Sequence, residues 1–151
     1  MLYACPRFST GCSPGGSLTG AALPLALQDF GNVLIVDDNS SIRAALRSFL
    51  KARTPLRFCC EASNGAEAVR IARERKPAFV LMDLAMPEMN GVEAAAAIRK
   101  DLPGTKIIVF TLYPNRLGQT LAKAVGVDLV VDKEEGSAGL LKALECLLES
   151  N

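Results

Sequence analysis

The chain has 151 residues, enough for one domain of ordinary size and too few for two. Half of it is apolar, 22% is charged and the net charge is +1, which permits a sizeable core and argues against a strongly basic nucleic-acid grip or an acidic tail. Histidine is absent, and with it every Ser-His or Cys-His triad, every histidine-ligated metal site and any histidine phosphocarrier role within this chain.

In chain order, residues 1–31 hold one base, Arg7, and one acid, Asp29, with three prolines and the run Ser9-Thr10-Gly11-Cys12-Ser13-Pro14-Gly15-Gly16-Ser17. Such a stretch has little to bury, so it is expected to be a disordered or poorly ordered extension, with the domain occupying 32–151. Leu18 to Leu27 imitates the apolar part of a signal peptide, but Pro24 interrupts it and Arg7 is the only base before it.

Val33 to Val36 is a short, continuous, β-branched run, the pattern of a strand buried on both faces. Asp37-Asp38-Asn39-Ser40-Ser41 supplies loop and N-cap chemistry. Ile42, Ala45, Leu46, Phe49 and Leu50 then recur at helical spacing. Arg57 to Ala62 is a second strand, Asn64-Gly65 reads as a turn, and Ala66, Val69 and Ala72 mark a second helix, broken by Pro77. Ala78 to Met82 is a third buried strand ending at Asp83. Met86 to Gly91 is loop, and an alanine-rich helix runs from Val92 to Lys100. Pro103-Gly104 turns the chain into a fourth strand, Lys106 to Phe110, ending at Thr111. Leu117, Leu121, Ala124 and Val125 line a fourth helix stopped by Gly126. Asp128 to Val131 is the fifth strand, followed by Lys133, and Leu140, Leu141, Leu144, Leu147 and Leu148 form the apolar face of the last helix. Strands alternating with helices demand a parallel α/β sheet covered on both faces.

Five cysteines, Cys5, Cys12, Cys59, Cys60 and Cys146, show no C-x-x-C spacing, so neither a disulfide framework nor a zinc site is expected, and reduced, partly buried thiols are. No run of about 18 apolar residues suggests a transmembrane helix. A cytoplasmic protein is the expectation.

Sites in such folds form at the carboxyl ends of the strands. Those ends carry Asp37 and Asp38, Asp83, Thr111 and Lys133. Each has an ordinary explanation: the acid pair favours a helix N-terminus, Asp83 caps a turn, Thr111 is a strand-end hydroxyl and Lys133 a solvated amine. Together they mean more. Three converging carboxylates repel one another and call for a hard divalent ion, for which Mg2+ with oxygen ligands fits. A carboxylate nucleophile, a metal, an ammonium and a hydroxyl make a phosphoryl-transfer site.

The segment Val33-Leu34-Ile35-Val36-Asp37-Asp38-Asn39, then Asp83-Leu84-Ala85-Met86-Pro87-Glu88-Met89-Asn90-Gly91, then Thr111 and Lys133, resembles the response-regulator receiver domain of two-component signalling. The resemblance covers about residues 32–150. It implies a flavodoxin-like doubly wound (βα)5 fold with strand order 2-1-3-4-5. It implies that Asp83 is the phosphoacceptor for a phosphohistidine on a sensor histidine kinase or a histidine phosphotransfer protein. Mg2+ would be held by Asp38 and Asp83 directly, by Asp37 through water and by the backbone carbonyl of Ala85. Lys133 and the Thr111 hydroxyl would contact the phosphoryl group. The surface of the fourth helix, fifth strand and fifth helix would switch toward a downstream protein target, with a phosphorylation-dependent homodimer among the allowed outcomes. Such a domain is a signalling phosphoacceptor rather than an enzyme on other substrates. No direct nucleic-acid or membrane contact is expected of it.

Three features depart from the commonest family pattern. Val130 stands three residues before Lys133, where an aromatic switch residue is frequent, Glu134 stands in place of the frequent proline, and no output domain follows the last helix. Tyr113 is an alternative candidate for controlling access to the site. Competing readings are a receiver fragment of a DNA-binding regulator, a phosphorylation-independent adaptor, and a phosphatase of the haloacid-dehalogenase type. The last requires a second aspartate two residues after the nucleophile, where this chain has Ala85.

Overall fold

The computed structural model describes residues 31–84, 86, 90–112, 120 and 123–149, apart from the side chains of Phe58 and Cys59. Five parallel strands, β1 (Asn32–Val36), β2 (Arg57–Ala62), β3 (Phe79–Met82), β4 (Lys106–Thr111) and β5 (Leu129–Asp132), form one sheet in the order β2-β1-β3-β4-β5. The flavodoxin-like order is therefore as expected. Four α-helices are described: α1 (Ser40–Arg53), α2 (Gly65–Arg75), α3 (Gly91–Asp101) and α4 (Gly136–Glu149), the last being the fifth helix expected from sequence. The expected fourth helix lies largely outside the described residues, although Thr120, Lys123 and Ala124 are helical and Gly126 has the positive φ of 86° that suits a helix stop.

The pleat sorts the strand residues between two cores. Val33, Ile35, Phe79, Leu81, Ile108, Phe110 and Val131 pack with Leu46 and Leu50 of α1 and Leu140, Leu144 and Leu147 of α4. Leu34, Val36, Val80, Met82 and Ile107 face the other way, toward Ala68, Val69 and Ala72 of α2 and Ala94, Ala95 and Ile98 of α3. The alanines bring α2 and α3 close to the sheet. With helices on both faces, every central strand is a continuous apolar run, as the sequence showed.

Local chemistry sets the helix starts. Asn39 Oδ1 accepts hydrogen bonds from Ser41 N (2.9 Å) and Ile42 N (3.3 Å), starting α1 directly after Asp37 and Asp38. Asn64 does the same for α2 through Glu67 N (2.8 Å), so Asn64-Gly65 is a helix start rather than the turn expected from sequence. The same dipeptide chemistry serves both, since asparagine caps helices as readily as it forms turns. The β1–β2 register slips between Val33 and Leu34, leaving Cys59 as the extra residue of the bulge. Cys60 carries a thiol, in line with the sequence reading at that position.

Candidate functional site

The strand order reverses its winding at β1 and β3, and the crevice of a doubly wound sheet opens there, outside the carboxyl ends. Asp37 and Asp38 follow β1 and Asp83 follows β3. The backbone joins the two strand ends as well, Asp83 N donating to Val36 O at 3.0 Å. Ligand oxygens of Asp37, Asp38 and Asp83 all lie within 4.8 Å of one another. Asp37 is 2% exposed and Asp83 9%, whereas Asp38 lies open to solvent.

Lys133 closes the cluster from the end of β5. Its Nζ lies 2.7 Å from Asp37 Oδ2 and 3.3 Å from Asp83 Oδ2, and its side chain is only 8% exposed. The Phe110 ring supports the ammonium at 5.8 Å. Thr111 ends β4, buried, and pairs in register with Asp132, the residue before Lys133. The structure thus brings Asp37, Asp38, Asp83 and Lys133 together and places Thr111 at the same end of the sheet. Ala85 and Tyr113 lie outside the described residues. Val130 is half-buried in β5, opposite Val109.

One motif residue owes its identity to this geometry. Gly91 starts α3 against the strand end, and its N–H donates to Leu84 O at 3.0 Å. A Cβ there would overlap the carbonyl oxygen of Asp83, so only glycine lets the helix approach the acid so closely.

Three carboxylates against one ammonium leave an excess of two negative charges in a partly buried cluster. The donors are all carboxylate oxygens, which suit a small hard dication and not a soft thiophilic metal. The residues present therefore fit Mg2+.

Sequence reasoning missed Arg43. From α1 its Nη1 donates to the backbone oxygen of Asp37 at 2.6 Å, while its Nε meets Glu61 Oε2 at 3.1 Å. On a helix, Arg43 and Arg47 read as a solvated basic face, and nothing local reveals that a glutamate on β2 receives both.

Comparison with known proteins agrees with this geometry. The family profile described as response regulator receiver domain matches residues 33–145. The chain is 34% identical over 112 residues to the response regulator protein VraR of Staphylococcus saprophyticus, covering 74% of this chain and 54% of that protein. The Staphylococcus aureus VraR is 35% identical over the same length and coverage. Among solved structures, a two-component response regulator of the LuxR family from an Aurantimonas species superposes with a TM-score of 0.75 at 30% identity, covering 80% of this chain and 86% of that one. The receiver of Thermotoga maritima CheB gives 0.66 at 30% identity, covering 78% and 91%. The chain spans about half the length of the curated relatives it matches.

Proposed function

The chain belongs to the response regulator receiver domain family, and from that premise we propose that Asp83 is its phosphoacceptor, charged by the phosphohistidine of a sensor kinase or phosphotransfer protein in a Mg2+-dependent step. The observation that carries this reading is the bridge made by Lys133 between Asp37 and Asp83 inside a three-carboxylate cluster.

Each residue contributes by position. Asp83 presents its carboxylate at the mouth of the crevice, where an oxygen attacks phosphorus as the P–N bond to the donor imidazole breaks. Lys133 already lies within ion-pair range of that carboxylate and is placed to follow the charge onto the transferred phosphoryl oxygens. The Thr111 hydroxyl, at the neighbouring strand end, is placed to donate to a phosphoryl oxygen. Asp38 and Asp83 would hold Mg2+ directly, Asp37 through water, and the carbonyl of Ala85 would complete the protein ligands. Mg2+, when bound, supplies neutralising charge to the carboxylates and the incoming phosphoryl group.

The arriving charge biases a surface equilibrium that a protein target reads on β5, α4 and the segment before β5. Val130 stands where an aromatic is frequent, so no ring at that position couples the site to this surface. The domain acts in this way as a signalling switch that promotes only its own phosphorylation and dephosphorylation. No described helix is long and apolar enough to cross a membrane.

Incubation with Mg2+ and acetyl phosphate, followed by intact mass measurement, tests this reading. Wild type is expected to gain one phosphoryl group and Asp83→Asn none. An unmodified wild type beside a competent receiver control, or an Asp83→Asn variant modified as fully as wild type, would overturn it.

A further inference from the structure

We propose that Arg43, held in place by Glu61, is a positioning residue that fixes the Asp37–Asp38 turn and thereby sets the divalent-cation affinity of the acidic cluster. This inference rests on the function proposed above.

Asp37 is restrained at every polar group it owns. Its N–H donates to Ala62 O at 3.2 Å. Its Oδ1 accepts from Asn39 N at 2.9 Å and its Oδ2 from Lys133 Nζ at 2.7 Å. Its backbone oxygen accepts from Arg43 Nη1 at 2.6 Å, a short charge-assisted bond. That last contact matters most for the neighbour. The Asp37 carbonyl belongs to the peptide plane that leads into Asp38, and a planar peptide fixed at its oxygen fixes the direction in which the next residue leaves. Asp38 is the exposed member of the cluster, beyond the end of β1, so its placement depends on this plane.

Arg43 could not hold the carbonyl without being held itself. A lone arginine on a helix samples many rotamers, and ordering it costs entropy. Glu61 on β2 removes that freedom, because Oε2 receives Arg43 Nε at 3.1 Å and Oε1 receives Arg47 Nη1 at 3.2 Å from the next turn of α1. The Arg43 side chain is 15% exposed, so its fork is also walled in by packing. The chain Glu61–Arg43–Asp37 carbonyl thus connects the edge strand β2 to the metal-binding turn, in the manner of outer partners that orient first ligands.

The sign of the effect separates geometry from charge. If Arg43 acted only as a nearby positive charge, its removal would make the cluster more negative and tighten Mg2+ binding. If it holds the turn, its removal loosens the ligand set and weakens binding.

Calorimetric titration of the full chain with MgCl2 decides the matter. Arg43→Ala is expected to weaken Mg2+ affinity about tenfold, the low end of what outer partners usually control. Arg43→Lys keeps the charge but not the fork, and should recover only part of that loss. Glu61→Gln should weaken binding in the same direction, by less. Arg47→Ala removes the second cation from Glu61 while leaving the Arg43–Asp37 hydrogen bond in place, and should bind within about twofold of wild type while sharing any general loss of stability. Should Arg43→Ala fail to fold, Arg43→Lys and Glu61→Gln carry the test. Equal or tighter binding by the Arg43 and Glu61 variants would overturn the positioning role, as would an Arg47→Ala loss as large as that of Arg43→Ala. A wild type that binds no Mg2+ would refute the function itself and this inference with it. A wild type that binds beside an Arg43→Ala that binds equally would refute the positioning role alone.

Discussion

At the amino end of the sheet, Arg99 reaches from α3 to Asp128 Oδ2 (2.7 Å), Gly126 O (3.0 Å) and Pro103 O (2.6 Å), and the same Asp128 oxygen accepts the Ile107 N–H at 2.7 Å. One cation meets one anion there, and the remaining donors find backbone oxygens, so the approaches to β4 and β5 are clamped without leftover charge. At the carboxyl end, the Lys133 ammonium pairs with Asp37 and Asp83, Asp38 joins their cluster, and charge is left over. An end that balances its charges serves the fold. An end that does not is the one for which we propose binding of a dication and then a phosphoryl group.

The largest expected break in that contrast comes from Lys133→Met. It strips the ammonium from two largely buried acids, and without Mg2+ the variant is expected to lose about 3–5 kcal/mol of stability, the usual consequence of removing one partner from a buried pair. Millimolar Mg2+ should restore more stability to the variant than it adds to wild type, because binding to the native state alone stabilises it. Urea denaturation with and without MgCl2 measures both. A variant as stable as wild type in the absence of Mg2+ would show that the acids tolerate one another unaided.

Arg99→Ala should act on the opposite end only. The loss is expected to be about 2 kcal/mol, because Asp128 and two carbonyls lose a charged donor at a partly buried site. Mg2+ affinity should stay within about twofold of wild type. A large change in affinity would mean that the two ends are coupled through β4 and β5.

The smallest effect belongs to an acid held chiefly by hydrogen bonds. Glu67 Oε2 accepts from Ser63 N (3.0 Å) and Ser63 Oγ (2.9 Å) at the start of α2. The backbone N–H first, and the hydroxyl second, hold its carboxyl below its ordinary value of about 4.5. Its ionised form therefore stabilises the fold fully above that ordinary value, and the contribution fades as the pH falls through the lowered one. Glu67→Gln is expected to cost about 1 kcal/mol near neutrality, as capping partners do. The difference from wild type should shrink in acid, and denaturation midpoints from neutral to acidic pH check it. A gap that widens in acid would contradict the assignment.

Much of this was legible from the sequence because burial on both faces writes itself as unbroken runs. Val33–Val36 and Phe79–Met82 are buried throughout, and the acids that end them stand out against four apolar neighbours. Lys133 was legible from order and spacing, since β5 delivers whatever follows it to the same rim as Asp83. Arg43 was not, because its meaning lies in Glu61, on a different element, and in a backbone carbonyl that no side-chain pattern records. Asn64-Gly65 misled because turn and N-cap use the same residues.

The central claim is that the surplus negative charge at the carboxyl end exists to hold Mg2+ so that Asp83 can be phosphorylated. Borohydride reduction of the phosphodonor-treated protein converts an aspartyl phosphate to homoserine, and peptide mass spectrometry locates it. The account predicts homoserine at position 83 in the presence of Mg2+ and none when the metal is chelated. Conversion at Asp37 or Asp38 instead, or equal conversion at Asp83 without the metal, would contradict it.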